Sequence, residues 1–139
     1  MKKIAVIPAY NEAGNIEKTV QDIIENAPSF DYIVINDCSK DKTEEICKKN
    51  GFPIINLPIN MGIGGGVQTG YLYALRNGYD IAVQFDGDGQ HDAKYLEKMA
   101  EVLEKENIDS LIIDVRDNSG GYLTSVTDIC NLFLEKGKV

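Results

Sequence analysis

The sequence has no tryptophan, a single histidine and only three cysteines among its 139 residues. Because the cysteines are odd in number and share no Cys-x-x-Cys spacing, a disulfide scaffold is excluded and reduced thiols are expected, as in a cytoplasmic protein. No apolar run approaches the ~20 residues of a membrane-spanning helix, so no transmembrane segment is expected. The first apolar run, residues 4–8, is too short for the core of a signal peptide.

Basic residues are also scarce, with 14 Lys and Arg against 22 Asp and Glu and a net charge of −8. Nucleic-acid binding depends on clustered Lys and Arg, so this acidic chain is not expected to bind nucleic acid. An anionic membrane surface is disfavoured for the same reason. The 43% hydrophobic content is ordinary for a globular protein, and the length suits a single domain over residues 1–139.

Short runs rich in Ile and Val alternate with amphipathic segments along the whole chain. The runs show little apolar/polar alternation, which is typical of parallel strands buried on both faces. Five strands are predicted, at Ile4–Pro8, Tyr32–Asn36, Pro53–Leu57, Ile81–Phe85 and Leu111–Val115. This order of elements predicts an α/β fold, a three-layer, doubly wound, Rossmann-like parallel sheet with helices on both faces.

Ligands of such sheets bind beyond the carboxyl ends of the strands, so functional residues are expected in the junctions that follow the strands. The first, residues 8–15, contains no phosphate-binding fingerprint, and Asn11 is explained equally well as a helix N-cap. Asp37 ends the second strand, where it can accept hydrogen bonds from a ligand. The third junction has four glycines in residues 62–66, which suit either a flexible loop or close approach of an anion to helix N–H groups.

The fourth junction, residues 86–92, is called the acidic segment below. Asp86, Asp88 and Asp92 lie within seven residues, with no Lys or Arg among them. Since like charges so close repel each other, their arrangement predicts an external cation, and oxygen ligands suit Mg²⁺ or Mn²⁺ completed by phosphate oxygens. The alternative is a polar turn in which Asp92 is an N-cap. His91 is interpreted as a loop residue, because hard cations prefer oxygen.

Four segments resemble family 2 glycosyltransferases of the A-type fold, particularly those that act on polyprenyl phosphates. In chain order they are IPAYNEAGNI, VINDCSKDKT, NMGIGGGVQTGYLYAL and VQFDGDGQHD, and they span residues 1 to about 108. The resemblance implies a nucleotide-diphospho-sugar ligand, of the UDP or GDP type, bound together with Mg²⁺ or Mn²⁺. No catalytic base is expected, because a lipid phosphate acceptor is already ionised and does not have to be deprotonated.

The resemblance also implies roles for individual residues. Those expected to line the nucleoside pocket are Pro8, Tyr10, Glu12 and Asp37, with Asp37 bonded to the base. Those expected beside the diphosphate are Gly62, Gly64 and Gly65. Those expected at the metal are Asp86 and Asp88, which match the family's DxD motif, and Gln90, which occupies a position that ligates metal in similar proteins.

Residues 109–139 carry a different resemblance. The run LIIDVRDNSGGYL is similar to a strand–turn–helix segment of C-terminal processing peptidases, but it lacks the serine and lysine that follow there. Two families in one chain suggest an engineered chimera, folded as a five-stranded sheet of order 3-2-1-4-5. The expected function is a truncated donor-binding domain with little or no turnover, because the acceptor half is missing. The alternative is a chimeric scaffold with no ligand or activity.

Overall fold

Strands and helices alternate strictly through residues 1–87 and 92–105, the part of the chain that the computed structural model describes. The strands there are β1 (Lys3–Ala9), β2 (Phe30–Asn36), β3 (Ile54–Asn56) and β4 (Ile81–Gln84). The helices are α1 (Ile16–Asn26), α2 (Thr43–Lys49), α3 (Gly62–Arg76) and α4 (Lys94–Lys105). The α/β class predicted from the sequence is therefore confirmed.

All described strands are parallel and lie in the order β3-β2-β1-β4. Strand β1 pairs with β2 from Lys3 opposite Phe30 to Ala9 opposite Asn36, and its other edge pairs with β4. The chain thus builds outward from β1 to β3 and then crosses back to place β4 on the other side of β1. This agrees with the first four positions of the predicted order, and the predicted fifth strand, Leu111–Val115, lies outside the described residues.

An apolar core covers each face of the sheet, which gives the three layers. Residues Ile4, Ala5, Val6 and Ile7 of β1 are all at most 1% exposed, although successive side chains of a strand point to opposite faces. One core joins β1 and β2 to α1, α2 and α4 through Ala5, Ile7, Val34, Ile16, Val20, Ile23, Cys47, Leu96 and Ala100. The other joins the opposite face to α3 through Ile4, Val6, Ile33, Ile35 and Ala74.

Helix α3 lies unusually close to β1 because Gly70 has no side chain. A Cβ built on Gly70 would lie only 2.0 Å from Cγ1 of Val6, well inside van der Waals contact. Gly70 and Val6 are both buried. The glycine therefore sets the distance between the helix and the sheet, and with it the position of the amino-terminal end of α3.

The chain divides into two compact units, Met1–Asn107 and Ile108–Val139. All described residues belong to the first unit. The single-domain interpretation of residues 1–139 and the peptidase-like interpretation of residues 109–139 depend on the second unit and stay predictions from the sequence. Among the described residues, no helix combines the length and the apolar character needed to cross a bilayer.

Candidate functional site

A cleft of about 230 Å³ opens at the carboxyl edge of the sheet. It lies beyond the carboxyl ends of β1 and β4, where the connection after β1 runs to one side of the sheet and β4 is added on the other. Ligands of doubly wound sheets bind at such a switch point. The lining residues come from the ends of β1, β2 and β4 and from the start of α3. They are Pro8, Ala9, Tyr10, Glu12, Asp37, Gly62, Ile63, Gly66, Asp86 and Gly87.

The structure gathers most of the residues singled out in the sequence around this cleft. Six of them line it, namely Pro8, Tyr10, Glu12, Asp37, Gly62 and Asp86. Gly64 and Gly65 are not among the lining residues, and Ile63 and Gly66 line it instead. The reason is that α3 already begins at Gly62, so the helical turn presents positions 62, 63 and 66 on one face. The predicted metal ligands Asp88 and Gln90, and His91 beside them, lie outside the described residues.

Asp37 holds the start of α3 against the end of β2. Its side chain is buried, and Oδ1 accepts a 2.6 Å hydrogen bond from the N–H of Met61, the residue before the helix. The side-chain amide of Asn60 donates to the Asp37 carbonyl at 3.4 Å. The sequence indicated a ligand-binding carboxylate at this position but not this structural contact. Its predicted hydrogen bond to a base stays a prediction.

Asn11 links the loop after β1 to the loop after β2. Its N–H donates to Oγ of Ser39 at 2.9 Å, and its Oδ1 accepts from the N–H of Lys40 at 2.8 Å. Its φ of 59° lies in the left-handed region, which asparagine tolerates better than most residues. The interpretation of Asn11 as a helix N-cap is wrong, because α1 begins only at Ile16 and is preceded by Asn15.

A second set of hydrogen bonds joins the same two loops. The Glu12 N–H donates to Oγ1 of Thr43 at 2.9 Å, and the Ala13 N–H donates to Oδ2 of Asp41 at 3.0 Å. The Thr43 hydroxyl in turn donates to Oδ1 of Asp41 at 2.5 Å. Partial burial opposes ionisation of Asp41, but these hydrogen bonds from Thr43 and Ala13 outweigh it and lower the pKa of the carboxyl. The loop that carries Tyr10 and Glu12 is therefore held in place by hydrogen bonds to Thr43 and Asp41.

The described lining of the cleft is acidic. Glu12, Asp37 and Asp86 line it, and the described lining residues include no Lys, Arg or His. Asp86 is half-buried, and its Oδ1 accepts a 2.6 Å hydrogen bond from the side-chain amide of Gln84. Grouped carboxylates create a negative potential, which favours a cation at this end of the cleft.

Asp92, the third carboxylate of the acidic segment, belongs to the start of α4. Its Oδ1 accepts from the N–H of Lys94 at 3.1 Å, and its other oxygen forms an ion pair with the Lys94 ammonium. The hydrogen bond from the Lys94 side chain lowers the pKa of Asp92 and raises that of Lys94. Because α4 begins at Lys94, the residue directly before it is Ala93, and the role of Asp92 as an N-cap stays a prediction. Asp86 and Asp88 remain the candidates for cation binding.

Metal binding at the cleft depends on which donor side chains the described residues supply. Within residues 1–87 and 92–105, no group of three or more His, Cys, Asp or Glu side chains is arranged to hold a metal ion. Asp86 fits the oxygen-ligand chemistry of Mg²⁺ or Mn²⁺, which are often held by one or two carboxylates with phosphate and water oxygens completing the shell. The described side chains alone therefore do not make up a complete metal site.

The sequence model described as glycosyl transferase family 2 matches residues 4–134. The chain belongs to the family 2 glycosyltransferases. An uncharacterized protein of Methanocaldococcus jannaschii is 37% identical to this family 2 chain over 110 residues, which cover 77% of the chain and 44% of that protein. The undecaprenyl-phosphate mannosyltransferase of Micrococcus luteus is 26% identical, with coverage of 90% and 52%. The chain thus spans about half the length of these curated relatives.

Solved structures share the fold of this family 2 chain. Residues 1–349 of TarS from S. aureus in complex with UDP give a TM-score of 0.63 at 22% identity, covering 77% of this chain and 33% of that one. The mannosyltransferase PcManGT from Pyrobaculum calidifontis in complex with GDP-Man and Mn²⁺ gives 0.61 at 20% identity, covering 84% and 36%. The architecture is therefore the A-type nucleotide-sugar transferase fold predicted from the sequence.

The family match also bears on the hypothesis of an engineered chimera. It continues through residue 134, well past the junction expected at residue 108, and gives no support to a peptidase-like segment. A strand followed by a Gly-Gly turn and an amphipathic helix is a common unit of α/β proteins, so a match of about 30 residues to such a unit has little specificity. A single family accounts for almost the whole chain.

Proposed function

We propose that this chain is the donor-binding part of a family 2 glycosyltransferase and binds a nucleotide-diphospho-sugar together with Mg²⁺ or Mn²⁺. The observation that carries the proposal is the cleft at the switch point, where the carboxylates of Glu12, Asp37 and Asp86 meet the start of α3. The ligands named for structures of the same fold, UDP for TarS and GDP-Man with Mn²⁺ for PcManGT, support this ligand class.

The nucleoside is assigned to the side of the cleft formed by Pro8, Tyr10, Glu12 and Asp37. The Tyr10 ring is 45% exposed and therefore available for stacking against a base. The loop that carries Tyr10 is held by the hydrogen bonds of Asn11 and Thr43, so little conformational entropy is lost when a base binds. Asp37 is the proposed acceptor for an N–H of the base.

The diphosphate is assigned to the start of α3. This helix has 15 residues, and its dipole and the N–H groups of its first turn favour an anion beside Gly62, whose own N–H already donates to Oδ1 of Asn60 at 3.1 Å. Gly66, one turn later, lines the cleft, and a Cβ there would lie 3.7 Å from Cβ of Pro8. The absence of a side chain therefore widens the cleft where the phosphates would lie. Diphosphate contacts for Gly64 and Gly65 are part of the same proposal.

The cation is assigned to Asp86, Asp88 and Gln90. A bound divalent cation would act as a Lewis acid that offsets the charge developing on the departing diphosphate. Asp86 would hold it at the cleft, while the Gln84 amide keeps the carboxylate oriented. The acceptor proposed is a polyprenyl phosphate, the class named for the Micrococcus luteus relative, so no general base is assigned. Because transfer needs an acceptor held in place as well, little or no turnover by these 139 residues remains a prediction.

Titration calorimetry with UDP and GDP, each in Mn²⁺ and in a chelator, tests the proposal. We expect one of the two nucleotides to bind in Mn²⁺ and to lose at least tenfold in affinity, about 1.4 kcal/mol, when the metal is removed. Uridine and guanosine are the matched controls, since without a diphosphate their affinity should not depend on the metal. Equal nucleotide affinity in Mn²⁺ and in the chelator would show that no cation takes part in binding. No binding of either nucleotide would favour a scaffold without a ligand.

A further inference from the structure

A hydroxyl of α1 reaches the acidic segment from inside the core. Thr19 is 2% exposed and lies on the buried face of α1 beside Val20 and Ile23. Valine would fill nearly the same volume, and a buried hydroxyl is unfavourable unless it is hydrogen-bonded. Oγ1 of Thr19 donates to the carbonyl oxygen of Gly87 at 3.0 Å, across 68 residues of sequence. Packing alone therefore does not explain a threonine here, whereas the contact with Gly87 does.

The Gly87 backbone is held from a second side by the loop after β1. A Cβ on Gly87 would lie 3.2 Å from the carbonyl oxygen of Pro8 and 3.5 Å from Cγ of Glu12, so Gly87 packs tightly against this loop. The carbonyl that Thr19 bonds belongs to the peptide group joining Gly87 to Asp88. Since Gly87 directly follows Asp86, a hydrogen bond that holds the Gly87 backbone also restrains the backbone that carries Asp86.

We propose that Thr19 is a positioning residue for the divalent cation, acting through the Gly87 carbonyl without touching metal or nucleotide. The inference rests on the proposed function, because it requires Asp86 to bind the cation. A backbone that is already held loses less entropy when the carboxylate of Asp86 binds a metal. Hydrogen bonds that orient metal ligands commonly change metal affinity by about 10- to 100-fold.

Two pairs of full-length variants isolate the hydroxyl. Wild type and Thr19→Val differ by a hydroxyl at nearly constant volume, and Thr19→Ser and Thr19→Ala differ by a hydroxyl when the methyl is absent from both. Mn²⁺ affinity is measured from the electron paramagnetic resonance signal of free Mn²⁺, at a temperature where every variant is folded. We expect about a tenfold loss of affinity within each pair when the hydroxyl is removed.

Val20→Ala is the matched control for stability, since it opens a cavity on the same face of α1 without changing the hydrogen bond to Gly87. It should lower the thermal midpoint and leave Mn²⁺ affinity unchanged. The inference is overturned if either hydroxyl-free variant keeps the affinity of its partner, or if Val20→Ala loses as much affinity as Thr19→Val. If the wild type itself does not bind Mn²⁺, both the inference and the proposed cation site are overturned.

Discussion

Replacing Gly70 by alanine is expected to destabilise the protein by about 3 kcal/mol, at the upper end of the usual cost of overpacking. The added methyl would lie 2.0 Å from Cγ1 and 2.9 Å from Cγ2 of Val6. Val6 is fully buried and, being β-branched, has few alternative rotamers, so α3 has to move away from the sheet. Urea denaturation measures the loss, which is large against the ~5–15 kcal/mol that stabilises a typical domain.

Gly66→Ala is the matched control for this prediction, since it changes the same residue type on the same helix one turn earlier. Its methyl would make ordinary contacts, 3.7 Å from Cβ of Pro8 and 3.9 Å from Cγ2 of Ile35. Alanine also favours a helix over glycine by up to about 1 kcal/mol, so stability should stay level or rise. If both variants unfold at the same urea concentration, α3 does not pack on β1 as described.

Replacing Asp86 by asparagine is expected to weaken metal-dependent nucleotide binding by about 100-fold, because it removes a charged ligand while its shape stays the same. The remaining amide oxygen can still accept the hydrogen bond from Gln84, so the fold should be retained. The measurement is the affinity for UDP and GDP in Mn²⁺, together with the thermal midpoint of each variant.

Glu45→Gln is the control for the change in net charge. Glu45 is exposed in the first turn of α2 and does not line the cleft, yet its replacement removes the same single negative charge. It should bind nucleotide like the wild type. Similar losses in Asp86→Asn and Glu45→Gln would mean that overall charge, and not a carboxylate at the cleft, controls binding.

The strands and the position of the cleft could be predicted because they depend on local patterns. Runs of Ile and Val predicted all the described strands, β1 to β4, to within two residues at each end. Since parallel strands end at one edge of the sheet, residues that follow different strands, such as Tyr10, Asp37 and Asp86, were expected to meet there. The faces of the helices are harder to predict. Ile24 is 45% exposed although its apolar neighbour Ile23 is buried, since each residue turns a helix by about 100°.

The contacts that hold the cleft together could not be predicted. The hydrogen bond from Thr19 to Gly87 spans 68 residues, and the one from Asn11 to Ser39 spans 28. Such pairs have no spacing rule in the sequence, because they depend on how two elements pack. Gly70 likewise looks like any helical glycine until its distance to Val6 is known. Gly66 could have been assigned to the cleft by helical spacing, had the start of α3 been placed at Gly62.

Paramagnetic broadening of amide signals by Mn²⁺ tests most directly whether the cation and nucleotide share the cleft at the carboxyl edge. With UDP or GDP present, the account predicts selective loss of the N–H signals of Tyr10, Gly66 and Gly87 in ¹H–¹⁵N spectra. The signals of Phe30 and Ile81 should persist, since they start β2 and β4 at the opposite edge, about 20 Å away along the strands. Mg²⁺, which is not paramagnetic, should leave all five visible. Broadening centred on Phe30 and Ile81, or none at the carboxyl edge, would contradict the account.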